Sequence, residues 1–225
     1  MCGRYALTDL NALLKEDRFQ LKMSPPNLSP RYNIAPSQQV PAILNQAPRE
    51  LQLVRWGLIP SWAKDPAIGY RMINARAETL ADKPAFRRPL QRQRCLIPAD
   101  GFYEWQRLGA RKVPHWIRLM SGEVFVFAGL WDTWTDPKTN GAMTSCTIIT
   151  TTPNKLLAPI HDRMPVILPR DSEATWLSDG LSSEQACAML KPYPAAQMKA
   201  SPVSTLVNSP SHDTPEVLKL AIRRF

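Results

Sequence analysis

Short apolar runs, broken every few residues by proline, glycine or charge, set the rhythm of this chain. Most carry the two-residue alternation of half-buried strands rather than the 3.6-residue repeat of helices. Leu51 to Trp56 reads as a strand. From Cys95 onward the signal strengthens: Cys95 to Pro98, Gly101 to Gln106, His115 to Leu119, Val124 to Leu130 and Cys146 to Thr151 follow one another, with glycine-containing turns between several of them. That succession predicts an antiparallel meander. Met164 to Leu168 adds a further apolar strand. Helical signals are fewer. Thr8 is placed to cap a short helix whose Leu10, Leu13 and Leu14 share a face, ending before Pro25-Pro26. Two others are expected around Pro84 to Gln91 and from Ser183 to Leu190, where Ser182 and Gln185 have capping-box spacing. The expected class is therefore α+β: a single domain over residues 1–225 with a curved, mostly antiparallel, partly barrel-like β core and peripheral short helices.

Composition narrows the functional classes. A chain of 225 residues with 44% hydrophobic content can bury an adequate core without staples. Cys2, Cys95, Cys146 and Cys187 are widely spaced with no C-x-x-C pair, so neither a zinc site nor a disulfide framework is suggested, and no metal or cofactor is expected. No stretch approaches the ~20 apolar residues that span a bilayer, and no apolar signal core follows Arg4, which leads to the expectation of a cytoplasmic monomer. The formal charge of +9 attracts polyanions, nucleic acid foremost.

Chemistry concentrates in a few strings. The chain opens Met1-Cys2-Gly3-Arg4, and a small second residue normally permits removal of Met1. Cys2 would then carry a thiol and a free α-amine on one carbon, a pair that condenses with an aldehyde to a Schiff base and closes a thiazolidine. Its alternative reading is a small buried hydrophobe. Arg4 and the basic surroundings are expected to favour neutral amine and thiolate. Asn33, in a predicted loop Arg31 to Pro36, is a turn residue or a ligand contact. Asn74 and Arg76, two apart, share a face on extended chain and could hold a phosphate and a sugar or aldehyde oxygen; a capped helix start with a surface salt bridge is the other reading. Glu104, amid Phe102, Tyr103 and Trp105, is either a partly desolvated carboxyl suited to proton transfer or a solvent-facing strand residue. His161, between Ile160 and Asp162-Arg163, is a candidate acid or base. Trp62, on a proline-bounded loop, could stack on a base or belong to the core. His115 and His212 receive no role.

Taken in order, Met1 to Arg4, Arg31 to Pro36, Trp56 to Trp62, Ile73 to Glu78, Ala99 to Trp105, His161 to Pro165, and Pro202 to Ser204 with Val207-Asn208 resemble the SOS-response-associated peptidase family over nearly the whole chain. The resemblance implies a sensor of abasic sites in single-stranded DNA that bonds to the lesion through Cys2, in the service of the DNA damage response. It also implies catalytic roles for Asn74, Glu104 and His161, phosphate contacts for Arg4 and Arg76, DNA contacts for Asn33 and Trp62, lyase-like Schiff-base chemistry, and autoproteolytic removal of Met1. Competing readings are a thiol-dependent peptidase and a non-catalytic single-stranded nucleic-acid-binding module. Asp132 to Met143 and the basic end Arg223-Arg224-Phe225 match no part of the resemblance.

Overall fold

Twelve strands and four short helices make up the regular structure of the computed structural model, which describes residues 2–15 and 17–221. Met1 and the basic end lie outside the described residues. The strands are β1 (Tyr5–Leu7), β2 (Arg31–Ile34), β3 (Gln39–Leu44), β4 (Leu51–Trp56), β5 (Asn74–Arg76), β6 (Arg94–Ala99), β7 (Gly101–Leu108), β8 (Arg111–Leu119), β9 (Phe125–Thr135), β10 (Ala142–Thr151), β11 (Met164–Pro165) and β12 (Met198–Pro202). The helices are α1 (Leu10–Lys15), α2 (Pro84–Arg92), α3 (Arg170–Leu177) and α4 (Ser183–Met189). The α+β class with a barrel-like β core holds.

The expected meander is split. β6 pairs with β9 rather than with its successor, and β7 and β8 form a hairpin in a different, five-stranded sheet of order β12-β8-β7-β1-β2. Asp100 alone separates β6 from β7, so the chain changes sheets within one residue. Gly101 makes the crossing possible, since a Cβ there would sit 2.3 Å from the Trp116 ring. The Asp100 carboxylate accepts from the Thr8 hydroxyl at 2.6 Å and the Asp9 amide at 3.0 Å, which ties the start of the chain to this corner. Thr8 is thereby diverted from the capping role assigned to it: Asp9 caps α1, its carboxylate accepting from Ala12 N at 2.8 Å.

The second sheet closes on itself. β10 lies between β9 on one edge and β4 on the other, and β4, β3, β6 and β9 complete the ring. β4 leaves β10 after Trp56, and β5 takes the next places on the same edge, Asn74 opposite Ile148 and Arg76 opposite Thr150, both pairings parallel. Gly57 allows the exit: its φ is +125° and a Cβ there would lie 2.6 Å from the Gly69 carbonyl oxygen. β11 is shorter than the expected Met164 to Leu168 strand, pairing only through Met164 and Pro165 before Ile167 bridges to Phe127.

Alternation assigns the faces. In the five-stranded sheet Tyr5, Leu7, Phe102 and Ile117 point to the shared core with Trp56, Leu96, Phe127 and Ile148 of the barrel, and Tyr5 meets Trp56 and Phe127 edge-on at 5.3 and 5.7 Å. The opposite face presents Ala6, Tyr103 and Trp116 to Val203, Val207 and Val217 of the C-terminal segment, which straps across it. Asn33 holds that strap: its amide nitrogen donates to the carbonyls of Val207 (3.3 Å), Ser209 (2.9 Å) and His212 (2.7 Å). Arg31 to Ile34 is thus a strand, not the expected loop. Asp213 seals it by accepting from Tyr32 N at 2.5 Å and Asn33 N at 2.8 Å and by pairing with Arg31. The capping box of α4 is present, with Ser182 and Gln185 in both roles.

Candidate active site

Three elements converge on the start of the chain. Cys2 is fully buried, its Sγ 4.0 Å from the Arg4 carbonyl oxygen, and its own carbonyl accepts from Asn74 Nδ2 at 2.8 Å. Asn74 reaches it because β5 runs along β10 in extended geometry, and the other side-chain atom, Asn74 Oδ1, is buried with no hydrogen-bond partner among the described residues. Glu104 arrives from β7. Alternation puts it on the same face as Phe102, toward the interior, where its residue is 2% exposed, so the solvent-facing alternative does not apply. His161 comes from the turn after Asn154, whose side-chain oxygen accepts from the amides of Leu156 and Leu157, both at 3.0 Å. His161 Nε2 stands 3.9 Å from Glu104 Oε2. Cys2, Asn74, Glu104 and His161 are therefore brought together from positions spread over most of the chain.

Burial dominates the electrostatics. It pushes the Glu104 carboxyl up to about 7, with the charge of Asp162 adding in the same direction. It pulls His161 below its ordinary value. The Cys2 thiol is driven well above the usual range by burial and then by the Glu104 charge. The expectation of a thiolate promoted by Arg4 is thus overturned: the low-dielectric pocket favours the uncharged form of all three groups, and the Arg4 guanidinium is turned elsewhere.

That guanidinium donates through Nη1 to Asn33 Oδ1 and to the Val207 carbonyl, both at 2.9 Å, and lies 6.0 Å from the Trp105 ring centre. Trp105 Nε1 donates to Asn208 Oδ1 at 2.7 Å. Asn33 is fully buried and connects Arg4 to the C-terminal strap. Beside this assembly an open cleft of about 550 Å³ is lined by Glu104, His161, Trp105, Asn208, Arg107 and Lys112.

Arg76 is exposed at the end of β5. Trp62, 59% exposed, lines a separate cleft with Lys64, Tyr70 and Arg71, where Arg55 stacks 5.3 Å from the Tyr70 ring. The Trp62 loop is pinned from the segment that matched no motif: Asp132 accepts from Ser61 N at 2.8 Å and Trp134 Nε1 donates to the Ala63 carbonyl at 2.7 Å.

Three supporting residues, Arg163, Glu78 and Asn154, have no site role in the sequence reading, where Arg163 is at most a loop partner of Asp162. Arg163 forms a bidentate pair with Glu78 (2.7 and 2.8 Å) and donates to the Thr150 carbonyl at 2.6 Å, locking the His161 loop to the segment after Asn74. Asn154 shapes the turn before it. The signal available for the Arg163–Glu78 pair is charge complementarity between two of the motif strings, but their separation of 85 residues hides the partnership. Among the described residues no group of three or more His, Cys, Asp or Glu side chains is arranged to hold a metal ion. No helix among them is long and apolar enough to cross a membrane.

The two-sheet α+β fold gathers a thiol, an amide, a carboxyl and an imidazole around Cys2. The sequence profile of the SOS response associated peptidase (SRAP) family matches residues 1–210, and the chain belongs to that family. It is 47% identical over 223 residues to the abasic site processing protein YoqW of Bacillus subtilis (strain 168), covering 97% of this chain and 99% of that one. It is 32% identical to the abasic site processing protein HMCES of Xenopus tropicalis over 86% of this chain and 67% of that one. The fold is similar to a crystal structure of a protein from Bacteroides thetaiotaomicron, with a TM-score of 0.89 at 30% identity over 98% of this chain and 100% of that one.

Proposed function

We propose that the chain acts in the DNA damage response by bonding covalently to abasic sites in single-stranded DNA through Cys2. The observation that carries this reading is the convergence of Asn74, Glu104 and His161 on Cys2, in a chain whose relatives are named for abasic site processing. Removal of Met1, which the family's name suggests is autoproteolytic, would give Cys2 a free amine.

The open form of an abasic deoxyribose carries an aldehyde at C1′. The Cys2 amine adds to that carbon, and the carbinolamine loses water to give a Schiff base. The thiol then adds across the C=N bond, forming C–S, while its proton passes to nitrogen. Atoms balance with one water released. A pocket that keeps groups uncharged favours the neutral amine this sequence starts from, and a carboxyl near 7 can both give and take protons at neutral pH. His161 serves as its proton partner. Asn74 holds the Cys2 carbonyl, and its Oδ1 is an acceptor for the N–H of the adduct. Ring closure removes the iminium that would otherwise promote β-elimination, so the strand stays intact.

Arg4 and Arg76 are proposed to neutralise flanking phosphates, and Trp62 to stack on a base, a contact worth ~1 to 3 kcal/mol. A thiol-dependent peptidase acting on other chains is the weaker reading, because burial and the Glu104 charge both oppose the thiolate such chemistry uses. The test compares single strands with and without one abasic site on a denaturing gel. The proposal expects a heat-stable adduct with the abasic strand alone. Glu104→Gln and His161→Ala should slow its formation while binding of the intact strand persists. Equal loss of binding and crosslinking would contradict their assigned roles.

A further inference from the structure

Two partners compete for one nitrogen of His161. The Arg163 main-chain N–H lies 3.1 Å from Nδ1 and needs a lone pair there. Asp162 Oδ1 lies 2.9 Å from the same Nδ1, an ion-pair distance at which its negative charge favours a hydrogen on that nitrogen. A neutral imidazole carries one N–H, so the two contacts are alternatives. With Arg163 N–H engaged, the proton sits on Nε2, the nitrogen facing Glu104. With Asp162 engaged, the proton sits on Nδ1 and Nε2 presents a lone pair to Glu104.

We infer that Asp162 is a positioning residue that selects the Nδ1–H form of His161 and so makes Nε2 able to accept a proton in the reaction proposed above, on which this inference rests. When Nε2 takes up a proton, the resulting imidazolium keeps its Nδ1–H on Asp162; when it releases that proton, the ring returns to the same form. Without the carboxylate, the Arg163 N–H shifts the ring toward the Nε2–H tautomer, which offers Glu104 no acceptor.

Among the described residues, the charges that face the ring come from β7, β8 and the His161 loop. Glu104 of β7 faces Nε2, and Arg107 of β7 and Lys112 of β8 line the cleft with it. The neighbouring thiol and the α-amine that the proposed reaction requires belong to Cys2. On the loop itself stand Asp162 and Arg163, the latter's guanidinium taken by Glu78. Asp162 supplies the negative charge that favours His161 protonation, acting against burial. Its side chain is 85% exposed, so the bias is modest and yields to salt.

The experiment uses the full chain with labelled histidine, comparing wild type, Asp162→Ala and Asp162→Glu. Imidazole ¹⁵N shifts report tautomer and titration without any DNA. For an exposed pair, Asp162→Ala should lower the Nδ1–H to Nε2–H ratio by about 1.5- to fivefold and the His161 midpoint by about 0.2 to 0.7. High salt should move wild type toward the variant. Asp162→Glu should recover most of the wild-type values. Crosslinking to abasic single strands, followed against pH, should slow by a similar factor above the His161 midpoint. Unchanged tautomer and midpoint in Asp162→Ala overturn the inference, and a shifted tautomer with an unchanged crosslinking rate overturns its role in the reaction. Failure of the wild type to crosslink at all would instead refute the proposed function, with the NMR comparison still deciding the tautomer assignment.

Discussion

Glu104→Gln should make the protein more stable at alkaline pH while impairing its chemistry. The carboxyl is buried on the interior face of β7, and its folded-state pKa of about 7 stands above an ordinary 4.5. The sign follows from proton binding. Between these values the folded chain holds the proton that the unfolded chain has released, so stability falls as pH rises through that window. Below about 4.5 the effect is absent; above about 7 it is complete. At 1.36 kcal/mol for each pH unit, the interval corresponds to about 3 kcal/mol. Glutamine, isosteric with the protonated acid, removes the dependence. Denaturant unfolding of both proteins from pH 4 to pH 8.5 should give equal stabilities at the acid end and a variant advantage growing to about 3 kcal/mol at the alkaline end. A variant no more stable than wild type at pH 8.5 would refute the claim that burial sets the acidity of Glu104.

Asn33→Ala removes a buried amide that serves three strap carbonyls and Arg4, of which the Val207 carbonyl lies in a buried bond and the others are partly shielded; a loss of about 2 kcal/mol in unfolding free energy is expected. Limited proteolysis should then cut first within the strap, and cleavage elsewhere would count against this assignment. Arg163→Lys breaks the bidentate pair with Glu78, which is partly exposed, so stability should fall by only about 1 kcal/mol. Crosslinking should fall more steeply than stability, because His161 and Asn74 lose their common tie. Asn74→Ala should reduce the rate of adduct formation without changing the affinity for intact single strands, as measured by fluorescence anisotropy. Affinity for intact strands should drop sharply between 50 and 200 mM salt if several arginines meet phosphates, and a flat response would contradict their role.

Legibility in the sequence follows the range of the interactions. Alternation alone puts Glu104 on the face of Phe102, and the extended reading of Asn74 to Arg76 matches β5 on β10. Both depend on neighbours one or two residues away. The Asp100 corner has the sequence of an ordinary hairpin turn, yet it switches sheets, because the strand beside β6 is β9 and the need for Gly101 arises only from Trp116 packing across it. β1 and β2 are too short, at three and four residues, for periodicity to register. The state of the Cys2 thiol escapes a local reading for a related reason. Arg4 is its near neighbour in sequence, but Asn33, Val207 and Trp105 draw the guanidinium away, leaving burial and Glu104 to set the thiol's acidity.

The bond between Cys2 and the lesion is the central claim, and intact-mass measurement of the heat-denatured product tests it most directly. The predicted mass is that of the Met1-free protein plus the abasic strand minus one water, unchanged by borohydride, with fragmentation locating the DNA remnant on Cys2. Cys2→Ala should yield no such species. A heat-stable, borohydride-insensitive adduct formed equally well by Cys2→Ala would contradict the claim.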